Sequence, residues 1–175
     1  TLVSAPAGFG KSTILSDWVR QGDEKTYISW LSLDEADNDL TRFLTYVIAA
    51  LQISDPDFGQ GILAILQSPG ELNLELVLTN LINEISKFPK NITIILDDYH
   101  VIETPQIDQA ITFLLDHLPP QMHVIIASRI DPTLPLSRLR ARGQMLEIRG
   151  SDLRFTLDEV TVFLSRWLGT DLSDQ

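Results

Sequence analysis

The sequence contains no cysteine, and this absence excludes disulfide bonds and thiol chemistry. It also has no apolar run approaching the ~18 residues that a membrane-spanning helix needs. No segment has the charged and apolar pattern of a signal peptide. We therefore expect a cytoplasmic protein without a membrane partner.

Basic residues are scarce as well. The 175 residues include 13 Lys and Arg against 24 Asp and Glu, which gives a formal net charge of −11. This balance argues against a broad surface that tracks the phosphates of DNA, so contacts with phosphate must come from a few individually placed cations. The length and the hydrophobic share of 44% indicate a globular domain with a sizeable core.

Short apolar segments alternate with segments of helical periodicity. The predicted strands are 2–4, 26–33, 92–96, 123–128 and 144–148, and the predicted helices are 11–20, 40–51, 61–67, 74–88, 105–118 and one that starts at Thr156. Thr104 is a predicted N-cap, and Thr156 with Glu159 has the capping-box spacing. Strands separated by long helices are typical of βαβ units, so we predict an α/β fold with a parallel sheet and helices on both faces.

A glycine-rich segment, SAPAGFGKST at residues 4–13, joins the first predicted strand to the first predicted helix. Gly10, Lys11 and Ser12 match the end of the P-loop pattern G-x-x-x-x-G-K-[ST]. In such a loop, backbone N–H groups bind phosphate oxygens, the lysine reaches the β- and γ-phosphates, and the hydroxyl binds Mg²⁺. The candidate nucleotide-binding residues are Ala5, Pro6, Ala7, Gly8, Phe9, Gly10, Lys11, Ser12 and Thr13.

Ala5 departs from the pattern, because it occupies the position of the first glycine. A methyl group is tolerated there if the backbone of Ala5 has a negative φ, while Gly8 and Gly10 serve the tighter part of the loop. The alternative is a plain glycine-rich turn before a helix. The Lys-Ser pair in this context favours the P-loop.

Two acids, Asp97 and Asp98, follow the most apolar predicted strand. A carboxylate at the end of a buried strand is costly unless it meets a cation, and Mg²⁺ at Ser12 would supply one. Asp97 is therefore the candidate metal ligand, together with Ser12, and Asp98 is placed to orient or deprotonate an attacking water. The alternative is that either acid caps the following turn.

Arg129 follows the next buried strand. Ligands of parallel sheets lie beyond the carboxyl ends of the strands, so Arg129 is the candidate sensor of the γ-phosphate, and the candidate catalytic residues are Lys11, Asp98 and Arg129. The other arginines between 129 and 154 are expected to lie on a solvated helix face. His100, His117 and His123 lack metal-ligand spacing and are expected to be structural or exposed, not catalytic. Trp18, Trp30 and Trp167 are expected in the core.

Four segments together resemble one family: SAPAGFGKSTILSDW, WLSLDEADNDLTRFLTYVIAAL, IILDDYHVIE and IIASRIDPTLPLSRLRARGQMLEIRGSDLRFT. They are similar to the ATPase domain of the large LuxR-family (MalT-like) transcriptional regulators, which belong to the STAND class of P-loop ATPases. The resemblance implies a three-layer P-loop NTPase fold of the AAA type (ASCE-like). It also implies ATP or ADP and Mg²⁺ as ligands, and an alanine at the position of Ala5.

The resemblance implies a switch, in which the ADP-bound form is closed and resting, inducer and ATP together favour an open form that self-associates, and hydrolysis resets it. Its members contact DNA through a C-terminal helix-turn-helix domain, which this sequence does not include. By this resemblance, residues 1–150 are the P-loop NTPase core, truncated at its N-terminal end within a larger protein. Residues 151–175 are the start of a helical arm that links to further domains.

Two other functions remain open on the residues alone. A P-loop kinase would transfer phosphate to a small molecule and would need an acceptor, whereas the pair of acids suits attack by water. A non-hydrolysing interaction module would use the nucleotide only as a structural ligand. Substituting Asp98 with Asn would then leave nucleotide turnover unchanged at its background level.

Replacing Lys11 with Ala is expected to abolish measurable nucleotide binding, because the ammonium group is the main positive charge that the loop offers to the phosphates. Calorimetry with ATP, ADP and GTP, each with Mg²⁺, measures the affinity and also establishes the preferred base. An undiminished affinity of Lys11→Ala for all three nucleotides would contradict the assignment of the loop.

Overall fold

The computed structural model describes residues 1–22, 26–53, 55–70, 72–154, 156 and 159–161. Its centre is a five-stranded sheet in which all neighbouring strands are parallel, with the order β2-β3-β4-β1-β5. The strands are β1 (Leu2–Ser4), β2 (Thr26–Ser32), β3 (Asn91–Asp97), β4 (Met122–Ser128) and β5 (Glu147–Arg149). The predicted parallel α/β sheet is confirmed.

In the described ranges, six helices connect these strands. They are α1 (Lys11–Arg20), α2 (Leu40–Gln52), α3 (Gln60–Leu66), α4 (Leu74–Ile85), α5 (Pro105–Asp116) and α6 (Leu136–Ala141), with short 3₁₀ helices at Glu35–Asn38 and Tyr99–Val101. Helix α6 and both 3₁₀ helices were not predicted. No helix in the described part of the chain is long and apolar enough to cross a membrane.

The sheet has a core on each face, because successive side chains of a strand point in opposite directions. Ile94 packs into the larger core, which contains residues of α2, α4 and α5 such as Phe43 and Leu81. The next residue, Ile95, packs on the other face against Leu15 of α1. Helices therefore cover both faces of the sheet, which is the three-layer arrangement that the alternation of strands and helices predicts.

The strand order places β4 between β1 and β3. Because the strands are parallel, their carboxyl ends lie along one edge of the sheet. The loop after β1, the segment after β4 and the pair of acids at the end of β3 are therefore neighbours, although they are far apart in sequence.

Thr104 is the N-cap residue of α5, as predicted, although its hydroxyl makes no capping hydrogen bond and donates instead to the carbonyl oxygen of Asn38 at 2.7 Å. Two other local predictions were wrong. Trp18 is 44% exposed on α1 and is not a core residue. The last strand begins at Glu147, three residues later than predicted.

The capping box at Thr156 is confirmed. The backbone N–H of Thr156 donates to Glu159 Oε2 at 2.8 Å, and the backbone N–H of Glu159 donates to Thr156 Oγ1 at 3.2 Å. The rest of the predicted arm helix and Trp167 lie outside the described residues.

Gly59 and Gly61 allow a matched test of the packing between α2 and α3. Gly59 has φ 70°, and a Cβ built there would lie 2.4 Å from Ile48 Cγ2, a buried branched side chain. Gly59→Ala is expected to lower the free energy of unfolding by about 2 to 4 kcal/mol through backbone strain and overpacking.

Gly61 is the control, because a Cβ there meets nothing within 4 Å and the residue lies in a helix. Gly61→Ala is expected to leave the free energy of unfolding unchanged or to raise it by up to about 1 kcal/mol. Urea-induced unfolding measures both effects. Equal stabilities of the two variants would contradict the packing of Gly59 against α2.

Candidate nucleotide-binding site

The P-loop turns tightly between β1 and α1. Gly8 and Gly10 have φ angles of 81° and 78°, a left-handed conformation that side chains rarely adopt. Ala5 has a negative φ, since Asp98 is the one non-glycine residue with a positive φ in the described ranges. The methyl group of Ala5 is buried, and its N–H donates to the carbonyl oxygen of Ser128 at 3.2 Å. The condition that allows alanine at this position is therefore met.

Lys11 is the first residue of α1 and is only 7% exposed. Its Nζ donates to the carbonyl oxygen of Ala5 at 2.8 Å and to that of Pro6 at 3.2 Å. The side chain thus folds back along the loop, and its positive charge lies beside the N-terminus of α1. Both features favour an anion at this point.

Ser12 and Asp97 are in direct contact across the edge of the sheet. The hydroxyl of Ser12 donates to Asp97 Oδ2 at 2.9 Å, and the N–H of Asp98 donates to Asp97 Oδ1 at 2.9 Å. Asp97 is only 4% exposed. The structure therefore brings together the two residues predicted to bind a metal ion.

This pair has the chemistry of a Mg²⁺ site that is completed by phosphate and water. Mg²⁺ prefers oxygen ligands and is usually held by one or two protein groups together with the phosphates of a nucleotide. No cluster of three or more His, Asp or Glu side chains suitable for a metal occurs among the described residues. A hydroxyl and a buried carboxylate fit Mg²⁺ better than they fit a metal held by protein ligands alone.

Asp98 differs from Asp97 in conformation and exposure. Its backbone is left-handed, with φ 57° and ψ 33°, and its side chain is 44% exposed. Asp98 Oδ1 lies 3.7 Å from His100 Nδ1. An exposed carboxylate can reach a water molecule, whereas Asp97 is committed to Ser12.

Arg129 immediately follows β4, between the P-loop strand and β3. Its side chain is exposed, and it forms no ion pair with any residue that the structure describes. Its charge acts on His100. Arg129 therefore places a positive charge at the carboxyl-end edge of the sheet, and its N–H groups are not paired with a described carboxylate.

Several other arginines of this region have structural roles. Arg138 pairs with Asp116, and Arg140 and Arg149 both pair with Glu147. The hydrogen bond from Arg140, followed by that from Arg149, lowers the pKa of Glu147 to about 2. Arg138 therefore ties α6 to α5, and Arg140 ties α6 to β5.

A cavity of about 710 Å³ adjoins the P-loop, a size typical of ligand pockets. It is lined by loop residues, by one side of α1 and by residues 152–154, namely Gly8, Phe9, Gly10, Thr13, Ile14, Asp17, Asp152, Leu153, Arg154 and Glu159. Phe9 also packs close to Gly150, where an added Cβ would lie 3.5 Å from its ring. The sequence motif predicted the loop side of this cavity but not the side formed by residues 152–154.

His100 was assigned a structural role by the sequence analysis, yet it lies within the site. Its side chain is 16% exposed, and its buried Nδ1 has no hydrogen-bond partner among the described residues. Burial, followed by the positive charge of Arg129, lowers the pKa of His100. The sequence signal that could have identified it is its place in the same turn as the two acids.

Known proteins resemble this chain in sequence and in fold. No protein-family model matches the sequence. The chain is 35% identical over 172 residues, 98% of its length, to the HTH-type transcriptional regulator MalT of Yersinia pestis (strain Pestoides F). It spans 19% of the length of that regulator.

Two solved structures show the same fold. Cdc6p from Pyrobaculum aerophilum matches 94% of this chain with a TM-score of 0.58 and 19% identity, and the match covers 41% of that protein. The Orc1 protein of Aeropyrum pernix, solved in complex with DNA, matches 97% of this chain with a TM-score of 0.55 and 11% identity, over 43% of that protein. In sequence and in fold, the chain is a P-loop NTPase domain of the kind that MalT-like, large LuxR-family transcriptional regulators contain.

Proposed function

We propose that this chain is the ATP-binding and ATP-hydrolysing switch domain of a MalT-like transcriptional regulator. The observation that supports it most strongly is the contact of Ser12 with Asp97 at 2.9 Å. It places the start of the P-loop helix against an acid at the end of a buried strand. This is the arrangement that a nucleotide–Mg²⁺ complex requires.

The P-loop would bind the phosphates of ATP or ADP. The N–H groups of the loop and the N-terminus of α1 supply donors, and Lys11 supplies the positive charge. The cavity beside Thr13 and α1 is continuous with the loop and is large enough for the nucleoside. ATP is favoured over GTP by the similarity to the MalT-like domains.

Ser12 and Asp97 would hold Mg²⁺, which neutralises charge on the β- and γ-phosphates. Asp98 would orient a water molecule toward the γ-phosphorus and accept its proton as the new P–O bond forms. The bond from the γ-phosphorus to the bridging oxygen breaks, and ADP and phosphate are released. Arg129 would stabilise the charge on the γ-phosphate oxygens.

In the whole protein, the bound nucleotide would control assembly. The ADP form would be the resting state, and the ATP form would self-associate until hydrolysis returns it to rest. DNA would be contacted by another part of the regulator, since this segment carries a net charge of −11. Such a regulator would act in the cytoplasm.

Asp98→Asn in the full-length regulator is expected to keep nucleotide affinity and to lower the rate of phosphate release by at least about a hundredfold, because the amide cannot accept the proton. Phosphate release is measured with ATP and Mg²⁺ and without any added acceptor. Asp57→Asn is the matched control, since it removes the same charge from an exposed side chain that lines a different cavity.

Three results would contradict this proposal. Strict dependence on an added acceptor would indicate a kinase. Equal and negligible turnover of wild type and Asp98→Asn, with intact binding, would indicate a non-hydrolysing module. If Asp57→Asn lost as much activity as Asp98→Asn, the loss would follow from the change in net charge and not from the position of Asp98.

A further inference from the structure

His100 lies in a turn that is held by hydrogen bonds on both sides. Tyr99, the residue before it, is buried, and its hydroxyl donates to Asp108 Oδ1 of α5 at 2.7 Å. Val101, the residue after it, accepts a hydrogen bond at its carbonyl oxygen from Asn38 Nδ2 at 2.7 Å. With its backbone fixed in this way, His100 can move only through its side-chain torsions.

The imidazole ring faces the groups of the candidate site. Its Nδ1 lies 3.7 Å from Asp98 Oδ1, just beyond hydrogen-bond distance. The charges of Arg129, Asp98, Lys11 and Asp97 all act on the ring. A buried polar atom without a partner is costly, and in this case it points at the carboxylate that the proposed hydrolysis uses.

The electrostatic surroundings favour a neutral ring. Burial is the largest influence and lowers the pKa of His100, and the positive charge of Arg129 acts in the same direction. A neutral imidazole carries one N–H and one acceptor nitrogen, and the tautomer with hydrogen on Nδ1 can donate to a carboxylate. Asp98 accepts no side-chain hydrogen bond from another described residue, so His100 is the available donor.

We propose that His100 is a positioning residue that holds the carboxylate of Asp98 by an Nδ1–H donation. The gap of 3.7 Å closes by a small rotation of either side chain, and Asp98 then presents its other oxygen to the attacking water. This inference rests on the proposed hydrolysis, and it adds a residue to it that acts through Asp98 without touching the nucleotide.

The test uses the full-length regulator with ATP and Mg²⁺. His100→Ala is expected to lower kcat for phosphate release by about ten- to a hundredfold, less than loss of the base itself, and to leave nucleotide affinity unchanged. An Asn side chain places its amide N–H close to the position of Nδ1, so His100→Asn is expected to return to within about threefold of wild type. His100→Gln, which places its amide near Nε2, is expected to stay slow.

His123→Ala is the matched control, because its exposed side chain lies on β4 outside the site. A double variant, Asp98→Asn with His100→Ala, is expected to be no slower than Asp98→Asn alone, since both changes remove the same function. If His100 had only a structural role, the double variant would be slower than Asp98→Asn alone, and His100→Ala would lower nucleotide affinity.

The inference is overturned if His100→Ala matches wild type while Asp98→Asn is slow, a result that leaves the proposed function standing. It is also overturned if all three His100 variants lose affinity together. Wild-type protein that binds ATP and releases no phosphate refutes the proposed hydrolysis itself, and with it the role of His100.

Discussion

A buried carboxylate sets the arrangement of the site. Asp97 ends a strand whose last three preceding residues, Ile94 to Leu96, are apolar and buried, and an uncompensated charge there would cost several kcal/mol. Both of its oxygens accept hydrogen bonds, one from the hydroxyl of Ser12 and one from the N–H of Asp98. The first of these bonds ties α1 to β3 across the strand that separates β1 from β3. The position of the P-loop helix relative to the acid is therefore fixed by the fold.

The second bond helps to explain why the adjacent acids Asp97 and Asp98 differ in conformation and exposure. The N–H of Asp98 turns toward Asp97, and the backbone of Asp98 takes a left-handed conformation that costs a non-glycine residue roughly 1 kcal/mol. After this turn the second carboxylate is 44% exposed, whereas that of Asp97 is buried. Strained residues of this kind are concentrated at functional sites. The geometry thus separates a group suited to metal from a group suited to water.

The sequence predicts the parts of the molecule that depend on local patterns. The P-loop, the apolar strand before Asp97 and the amphipathic helices were identified because spacing and residue type determine them. Trp18 was wrongly expected in the core, and the contacts of Thr104 and His100 were not predicted, because the surroundings of these residues come from distant segments. The hydroxyl of Thr104 bonds to Asn38, the indole of Trp18 is exposed on α1, and the ring of His100 is influenced by charges that follow three different strands. Only the strand order reveals these contacts.

The strand order also separates two tasks that the proposed switch must perform, which are to bind a nucleotide and to distinguish ATP from ADP. Lys11 follows β1, at the end of the loop that would bind any nucleotide. Arg129 follows β4 and forms no ion pair among the described residues. Arg138, Arg140 and Arg149 are neutralised by acids, so the cations near the loop are few and individually placed. A group that contacts only the γ-phosphate distinguishes ATP from ADP, whereas a group that contacts the β-phosphate does not. On the proposed function, affinity would therefore come mainly from the end of β1, and discrimination between ATP and ADP from the end of β4.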